Sequence, residues 1–255
     1  MAKRIESLKI IDKLQLTKEI FVLELTGRDK LPEMLPGQFV EIKVEGTSDT
    51  FLRRPFSVHD VNYGQNTLKL LIQISGKGTQ RLSELGKGDY LDMVYPLGNS
   101  FSLPAGEQKI LLAGGGCGVA PLLYLGKYLR TNGYNPDVLL GFRNSERIIE
   151  YNEYLNIGKV YLTTEDGSSG EKGFVTDHSV LKSETYEKVY CCGPEPMMKA
   201  VASFCRDSRI DCEVSLENLM GCGIGACLCC VVPTVKGNLC TCTDGPVFNI
   251  KDLKW

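Results

Sequence analysis

The sequence predicts a multi-domain protein: an antiparallel Greek-key β-barrel, then an α/β domain with a parallel sheet, then a small cysteine-rich subdomain. Three observations lead to this prediction. The first hundred residues contain short β-branched and aromatic runs separated by Gly, Pro, Asn and Asp. From about residue 109, buried-type strands alternate with helical runs. Six of the eleven cysteines then lie between residues 222 and 242, which sets the end of the chain apart.

The barrel prediction rests on segments such as residues 20–25, 39–44 and 67–74. Each is short, rich in Val, Ile, Leu and Phe, and bounded by turn-forming residues. Several such segments in a row are typical of an all-β barrel or sandwich. The run Pro-Ala-Gly-Glu at 104–107 is the expected boundary, so the barrel is assigned to residues 1–104.

The α/β prediction rests on apolar runs at residues 109–113, 137–141, 160–164 and 188–192, with a helical run at 121–131 after the first of them. Hydrophobic strands that alternate with helices indicate a parallel sheet covered on both faces. We assign residues 105–212 to this domain and residues 213–255 to the cysteine-rich subdomain.

Composition excludes several classes of function. A net charge of −2 without basic runs argues against nucleic-acid binding, and no apolar stretch approaches the roughly 20 residues of a membrane helix. The N-terminal residues lack a secretory apolar region. Eleven cysteines in such a chain indicate a reducing cytoplasm, where thiols stay available as ligands. The chain has only two histidines, which disfavours mechanisms built on a His pair or a Ser-His-Asp triad. We expect His59 to be a packing or hydrogen-bonding residue.

The cysteine spacing predicts a metal centre. Cys222, Cys227 and Cys230 are spaced C-x4-C-x2-C, and Cys242 follows in a later segment. This is the ligand spacing of plant-type [2Fe–2S] ferredoxins. Neighbouring glycines allow the tight bends that such a loop needs. A structural zinc site is the alternative, although zinc usually takes C-x2-C pairs or Cys/His mixtures. The choice between Cys240 and Cys242 as fourth ligand stays open.

A glycine turn joins the first α/β strand to its helix. Glycines in this position let a backbone approach a pyrophosphate, and the helix N-terminus supplies N–H donors. A plain tight turn is the alternative. The sequence there is not a clean G-x-G-x-x-G, so a dehydrogenase-type fold is not expected. The residues we expect to bind nucleotide in this turn are Gly115, Gly116, Gly118, Ala120 and Pro121.

A second turn, Cys192-Gly193-Pro194, ends the last predicted strand of the α/β domain. Ligands of open α/β sheets bind at the carboxyl edge of the strands, so Gly193 and Pro194 are candidate nucleotide-binding residues. A proline-capped structural turn is the alternative. We expect Cys192 to lie where a nicotinamide meets its electron acceptor and to act in hydride transfer.

Together the two turns resemble those of the ferredoxin–NADP reductase superfamily, in which such segments frame the nicotinamide nucleotide. The barrel segment contains two further motifs that resemble this family. Arg53-Arg54-Pro55-Phe56-Ser57 is similar to the family's flavin motif, whose Arg pairs with the FAD pyrophosphate and whose Ser lies near the flavin ring. Gly76-Lys77-Gly78-Thr79 resembles its second pyrophosphate loop. The residues that the resemblance assigns to FAD are Arg54, Pro55, Phe56, Ser57, Gly76, Gly78 and Thr79.

The cysteine segment narrows the resemblance. A flavin reductase core followed by these cysteines and by Cys242-Thr243-Asp244-Gly245-Pro246-Val247-Phe248 is similar to the electron-transfer subunits of NAD-dependent dihydroorotate dehydrogenases. The resemblance implies FAD, a [2Fe–2S] cluster and NAD as cofactors. It also implies an FMN-containing catalytic partner that oxidises dihydroorotate in pyrimidine biosynthesis, in a heterotetramer of two copies of each subunit.

Two other functions remain possible on the sequence. One is a related flavoprotein that passes electrons between NAD(P)H and ferredoxin or a sulfur-metabolising partner. The other is a zinc-stabilised nucleotide-binding module without electron transfer. NADP is not distinguished from NAD, because Arg143 and Arg147 could receive a 2′-phosphate. If the cysteine loop faces a partner subunit, an apolar surface patch is expected beside it, formed by Leu219, Met220, Ile224 and Leu228.

Overall fold

The computed structural model describes residues 3–46 and 50–255, which form two seven-stranded sheets, one hairpin and five α-helices. The strands are β1 (Arg4–Gln15), β2 (Ile20–Thr26), β3 (Phe39–Ile42), β4 (Arg54–Ser57), β5 (Asp60–Asn62), β6 (Thr67–Gln73), β7 (Tyr90–Leu97), β8 (Ile110–Gly115), β9 (Asp137–Phe142), β10 (Val160–Thr164), β11 (Glu171–Lys172), β12 (Lys188–Cys192), β13 (Asp211–Ser215), β14 (Val231–Thr234), β15 (Gly237–Cys240) and β16 (Val247–Asn249). The helices are α1 (Lys77–Ser83), α2 (Val119–Thr131), α3 (Tyr151–Leu155), α4 (Val180–Ser183) and α5 (Glu195–Asp207).

The first sheet is antiparallel and curls into a barrel-like shape. Its strand order is β4-β3-β7-β1-β2-β6-β5, so the two edge strands, β4 and β5, are consecutive in the chain. Val58 N donates to Gln38 O at 2.9 Å and His59 N donates to Lys69 O at 3.0 Å, which joins one edge of the sheet to the other. Alternate residues of the strands fill the interior, which contains Leu68, Leu70 and Ile72 of β6. The predicted barrel is confirmed.

The second sheet is parallel except at one edge. Its order is β11-β10-β9-β8-β12-β13-β16, and only β16 runs antiparallel to its neighbour. The central strands β8 and β12 are buried along their whole length, because α2 packs on one face of the sheet and α5 on the other. The predicted strand at 109–113 continues to Gly115. The predicted helix at 121–131 begins earlier, at Val119, directly after a 3₁₀ turn at Gly116–Gly118.

A buried ion network fixes the linker between the two sheets. The Nζ of Lys188 lies 2.6 Å from Asp211 Oδ2 and 2.9 Å from Glu213 Oε1. Glu213 accepts hydrogen bonds from the backbone N–H and the hydroxyl of Ser102, which lies in the linker, and Tyr190 Oη donates to Ser102 O at 2.7 Å. A buried lysine needs such partners, since an unpaired charge there is strongly destabilising.

The C-terminal segment packs against the barrel at a tight junction. Gly98 has φ +73°, and a Cβ there would lie 2.5 Å from Pro246 Cδ. The next residue, Asn99, donates from Nδ2 to Asp244 O at 2.7 Å and to Val247 O at 3.1 Å, and its Oδ1 accepts from Val247 N at 3.1 Å. The chain after the last cysteine is therefore held by the turn that follows β7.

The parallel sheet continues through β13 and β16 into the C-terminal region, beside the β14–β15 hairpin. The domain boundaries at 104 and 212 stay predictions. Within residues 3–46 and 50–255, no helix is both long and apolar enough to cross a membrane.

Replacing Asn99 with Ala should loosen the C-terminal segment. The change removes three side-chain hydrogen bonds to backbone groups, and we expect a loss of about 2–4 kcal/mol in unfolding free energy. Hydrogen exchange at residues 241–249 should rise most. The control is Asn62→Ala, which loses side-chain bonds to Gln65 only, in an exposed turn of the barrel. Equal urea midpoints and equal exchange in the two variants would contradict the assigned role of Asn99.

Candidate redox and nucleotide-binding site

The two predicted nucleotide turns lie in direct contact at the carboxyl edge of the parallel sheet. Their strands, β8 and β12, are hydrogen-bonded neighbours. A Cβ at Gly118 would lie 2.4 Å from both N and Cα of Gly193, and a Cβ at Gly115 would lie 2.3 Å from Met197 Sδ. Gly118 therefore excludes any side chain because it faces backbone, whereas a side chain at Gly115 would require Met197 to move. The contact forms the crevice at which open α/β sheets bind ligands.

The glycine turn leads into α2, a helix of 13 residues. Gly116 has φ +54° with open space around it, which leaves the turn accessible. Ala120 and Pro121 lie in the first turn of α2, directly after the 3₁₀ turn; Val119 N–H donates to Gly116 O, and Pro121 has no N–H, so the free donors belong to the glycine turn itself. An anionic pyrophosphate is stabilised at such an N-terminus. All five residues predicted from this turn are thus in one place, and their contacts with nucleotide stay a prediction.

Cys192 is the last residue of β12 and is fully buried. Burial raises the pKa of its thiol well above the ordinary value, so the side chain is a neutral thiol rather than a thiolate. Cys117, inside the glycine turn, is affected in the same way: burial raises its pKa to about 12. Neither thiol has the character of a nucleophile. We therefore predict that Cys192 contributes to hydride transfer by packing and by shaping the site, and not as a nucleophile.

The predicted flavin motif forms β4, an edge strand whose four residues are all half-buried. Arg54 donates from Nη1 to Leu52 O at 2.9 Å and to Arg53 O at 3.2 Å, which fixes the direction of its guanidinium group. A Cβ at Gly78 would lie 3.3 Å from Arg54 Nε. The structure therefore brings the motif on β4 next to the predicted pyrophosphate loop.

That loop is shaped by Thr79. Its hydroxyl accepts hydrogen bonds from Ser75 N at 2.8 Å and Gly76 N at 3.1 Å, and it lies 3.1 Å from Gly76 O. Because the hydroxyl is used inside the turn, the predicted binding of phosphate falls mainly to the backbone N–H groups that begin α1.

Backbone N–H groups of the cysteine loop point at sulfur. Cys222 Sγ accepts from Ala226 N at 3.2 Å, Cys227 N at 3.4 Å and Ile224 N at 3.5 Å. Burial acts to raise the pKa of Cys222, but these hydrogen bonds outweigh it and lower the pKa to about 6. A thiolate is therefore favoured here at neutral pH, and a thiolate is the form that binds metal.

The other predicted ligands continue this arrangement. Cys242 Sγ accepts from Gly225 N at 3.2 Å, and Cys242 N donates to Cys230 Sγ at 3.4 Å. Cys230 and Cys242 are buried beside the barrel, whereas Cys227 is exposed. In the part of the chain that the structure describes, the half-exposed Cys240 receives no N–H donor at its sulfur. The donor pattern supports Cys242 over Cys240 as fourth ligand.

The donor set fits an iron–sulfur cluster. N–H groups directed at cysteine sulfur are among the interactions that set the potential of such clusters. Among the described residues, no three His, Cys, Asp or Glu side chains are gathered closely enough to hold a metal ion as they stand. The fit therefore rests on the ligand spacing and on the N–H donors.

Glu41 lies beneath this loop and was missed by sequence reasoning. It is fully buried on β3, and neither carboxylate oxygen has a hydrogen-bond partner within the described residues. Burial raises the pKa of Glu41 to about 7, against the lowering effect of Arg53. A Cβ at Gly223 would lie 2.7 Å from Glu41 Cγ, so the loop touches this side chain. Glu41 could have been identified from the sequence, because it is the single charged residue within the otherwise apolar run Phe39–Ile42.

The surface beside the cysteines is apolar. Leu219, Ile224 and Leu228 are 86%, 51% and 63% exposed. The prediction for Met220 was wrong, because this residue is buried against Phe39 and Leu97 of the barrel. Two further exposed side chains, Phe51 and Leu52, extend the patch; Leu52 Cδ1 lies 3.9 Å from the position of a Cβ at Gly221. We call Phe51, Leu52, Leu219, Ile224 and Leu228 the apolar patch.

Three family models match the chain in consecutive segments. Residues 7–101 match an oxidoreductase FAD-binding domain, and residues 112–203 match an oxidoreductase NAD-binding domain. Residues 217–254 match the iron–sulfur cluster binding domain of dihydroorotate dehydrogenase B. The last match decides between iron–sulfur and zinc, and the predicted zinc module is not supported.

Full-length relatives agree with these matches. The dihydroorotate dehydrogenase B (NAD(+)) electron transfer subunit of Fusobacterium nucleatum is 36% identical over 98% of this chain and 99% of its own length. The corresponding subunit of a Geobacillus species is 38% identical over 97% of this chain and 98% of its own. The chain belongs to the family of dihydroorotate dehydrogenase B electron transfer subunits. The cofactors FAD, NAD and an iron–sulfur cluster are those of its family domains.

Solved structures confirm the ferredoxin–NADP reductase type of fold. An NADH-dependent reduced ferredoxin–NADP oxidoreductase, described in a study of flavin-based electron bifurcation, superposes with a TM-score of 0.88 at 30% identity, over 97% of this chain and 90% of the other. The ferredoxin reductase of carbazole 1,9a-dioxygenase gives a TM-score of 0.70 at 20% identity, over 82% of this chain and 67% of the other, which shows the fold alone.

Replacing Arg54 with Ala should weaken FAD binding. A charge-assisted contact of this kind contributes about 1.5–3 kcal/mol, so the affinity should fall roughly tenfold to 150-fold and FAD should be lost on dialysis. The control is Arg81→Ala on α1, whose partner is the exposed Glu84. Stoichiometric FAD at unchanged affinity in Arg54→Ala would show that the motif is assigned wrongly.

Serine at Cys242 should abolish the visible absorbance and the electron paramagnetic resonance signal of the cluster, whereas serine at Cys240 should leave both in place. The reason is that only Cys242 shares the N–H donor pattern of the loop. Iron content per FAD is the quantitative measure. A full cluster in Cys242→Ser together with its loss in Cys240→Ser would reverse the assignment.

Proposed function

We propose that this chain carries electrons between a partner subunit that oxidises dihydroorotate and NAD+. The route would run through a [2Fe–2S] cluster held by Cys222, Cys227, Cys230 and Cys242, and through FAD on the barrel. One observation carries the proposal: the cysteine loop touches Glu41 on β3, and β3 pairs directly with the flavin strand β4. The cluster loop is thus one strand away from the flavin motif.

The residues of the chain divide the work among three sites. When bound, FAD would exchange a hydride with NAD and single electrons with the cluster. It would therefore connect NAD to the cluster, since these two cannot exchange electrons with each other directly. Arg54 and the N–H groups of α1 hold the FAD pyrophosphate beside β4. The glycine turn and the N-terminus of α2 hold the NAD pyrophosphate. N–H groups of the cysteine loop stabilise the negative sulfurs.

The segment after β4 and the turn after β12 together bring the nicotinamide to the flavin. Ser57 ends β4, and two residues later His59 contacts α2 at its first turn. Cys192 and Gly193 close the other side of the same crevice. Hydride transfer requires reacting atoms about 3–3.5 Å apart, and rigid walls on both sides of the crevice favour that approach.

The partner would dock on the apolar patch. The relatives are named electron transfer subunits of dihydroorotate dehydrogenase B, which supports a separate subunit that oxidises dihydroorotate. Permanent hetero-complexes bury large apolar surfaces, and a one-electron site is useful only where a second redox centre approaches it. We infer an FMN-containing catalytic subunit and a complex with two copies of each chain.

A second function is favoured by one specific observation. The oxidoreductase that superposes over 97% of this chain is NADH-dependent and is named for ferredoxin and NADP. Electron transfer between NAD(P)H and ferredoxin is therefore the alternative. Of the two arginines considered for a 2′-phosphate, Arg147 forms an exposed ion pair with Glu19 of the barrel.

The complex of this chain with its catalytic partner should reduce NAD+ when dihydroorotate is supplied. Leu219→Asp should abolish that reaction, because it places a charge in the apolar patch, and should leave reduction of FAD by NADH unchanged. The control is Leu155→Asp on α3, a leucine 52% exposed outside the patch. The measurements are NADH formation at 340 nm and co-elution of the two subunits.

Reduction of ferredoxin by NADH, with no dihydroorotate-dependent reaction in the assembled complex, would replace the proposed function by the alternative. Full dihydroorotate-dependent activity in Leu219→Asp would keep the function and remove the apolar patch as the docking surface.

A further inference from the structure

The chain has two histidines, and both are buried opposite a glutamate. Only one of them joins the two domains. His59, which is 1% exposed, lies directly after the flavin strand, with Nδ1 2.9 Å from Ala120 O and Nε2 2.9 Å from Glu150 Oε1. His178 contacts Glu171 and the backbone of Val180 within the α/β domain.

The hydrogen bonds of His59 fix its ring on both sides. A carbonyl oxygen can only accept, so Nδ1 carries a proton and donates to Ala120 O. Nε2 lies 2.9 Å from Glu150 Oε1, within hydrogen-bond distance. Glu150 itself has φ +54° and ψ +20°, a left-handed conformation that costs a non-glycine residue about 1–3 kcal/mol. The fold therefore maintains a strained residue that faces the imidazole.

The target of this arrangement is the first turn of α2. Ala120 is the second residue of the helix, beside the glycine turn that faces the nucleotide crevice. The preceding carbonyl, Val119 O, accepts from Tyr154 Oη at 2.5 Å. The residue after His59, Asp60, pairs with Lys127, seven residues beyond Ala120 in the same helix, at 2.6 Å. Helix α2 is thus held to the barrel at two points by consecutive residues that follow β4.

We propose that His59 is a positioning residue, which sets the first turn of α2, and with it the nicotinamide nucleotide, against the flavin strand. The inference rests on the proposed function in one respect: NAD binds at this turn. His59 touches neither reacting group. It acts through Ala120 O, which belongs to the Ala120–Pro121 peptide and therefore has no N–H of its own, by holding the start of α2 and the adjoining glycine turn in place.

The size of the effect follows from the geometry of hydride transfer. A misplacement of about 1 Å of reacting groups costs on the order of a hundredfold in rate. Ser57 and His59 are two residues apart on one rigid segment, so a shift of α2 relative to His59 is also a shift relative to the flavin motif. Loss of the His59–Ala120 bond should therefore slow the chemical step more than it weakens NADH binding.

Three substitutions separate the two hydrogen bonds. Nδ1 of histidine and Nδ2 of asparagine are both two bonds from Cβ, so His59→Asn keeps a donor for Ala120 O. Nε2 of histidine and of glutamine are both three bonds from Cβ, so His59→Gln keeps the contact with Glu150 and loses the donor to Ala120. His59→Leu keeps the volume and loses both.

His178 provides the matched control. It is also buried beside a glutamate, and its Nδ1 also has a backbone partner, since it accepts from Val180 N at 3.0 Å. It does not contact α2 or the flavin strand. His178→Asn and His178→Leu therefore reproduce the general cost of altering a buried histidine, without the change at the nucleotide turn.

The experiment measures reduction of bound FAD by NADH in the full chain, by stopped-flow absorbance, with NADH and with NADH deuterated at the transferred position. We expect His59→Leu and His59→Gln to slow flavin reduction about tenfold to a hundredfold. The apparent Kd for NADH should change less, and the isotope effect should be at least as large as in the wild type. FAD content and cluster absorbance should be retained.

His59→Asn should restore most of the rate, and both His178 variants should reduce FAD at the wild-type rate. Wild-type rates in His59→Gln and in His59→Leu would overturn the inference and leave the proposed function intact. Equal slowing in His59→Asn, His59→Gln and the His178 variants would also overturn it, because the effect would then be a general loss of stability. If NADH does not reduce the wild-type FAD at all, the proposed function and this inference both fail.

Discussion

Close backbone contact without room for side chains is the constraint on which this structure depends. The nucleotide turn meets the second turn at Gly118 and Gly193, the barrel meets the C-terminal segment at Gly98, and the cysteine loop meets β3 at Gly223. In each place a Cβ would lie within 3 Å of another atom. The segments that carry the predicted nucleotide and cluster residues are thereby packed tightly against their neighbours. An electron-transfer chain needs fixed separations, because its steps depend on short and constant distances.

The same close packing creates an electrostatic problem, which the backbone solves. Cys230 and Cys242 are buried beside the barrel, and a neighbouring carboxylate, Glu41, is fully buried. N–H groups of residues 224–227 donate to the sulfurs of Cys222 and Cys242. These bonds lower the pKa of Cys222 to about 6, whereas burial outweighs them at Cys242 and raises its pKa to about 12. N–H dipoles favour anionic sulfur without adding net charge to the loop.

Much of the fold could be predicted from the sequence, because its signals are local. The fully apolar runs of β8 and β12 identify central strands of a parallel sheet, and the cysteine spacing identifies the cluster. The features that were missed depend on contacts between distant segments. Met220 looks like a surface residue in its own segment and is buried only because the barrel presents Phe39 and Leu97. The role of Asn99 likewise exists only once residues 244–247 fold back onto it.

His59 illustrates why site prediction is harder than fold prediction. In the sequence it is a single polar residue after a flavin motif, and we expect a packing or hydrogen-bonding residue. The structure shows these hydrogen bonds. Its importance comes from its partner, because Ala120 belongs to the other domain and begins the helix at the nucleotide crevice. The Lys188 network fixes the linker at one end of the domain contact, and the His59–Glu150 pair fixes the other. With both ends held, the two domains cannot rotate about the linker without breaking a buried polar contact, which costs several kcal/mol. The relative placement of the β4 motif and the start of α2 is therefore a property of the folded chain itself.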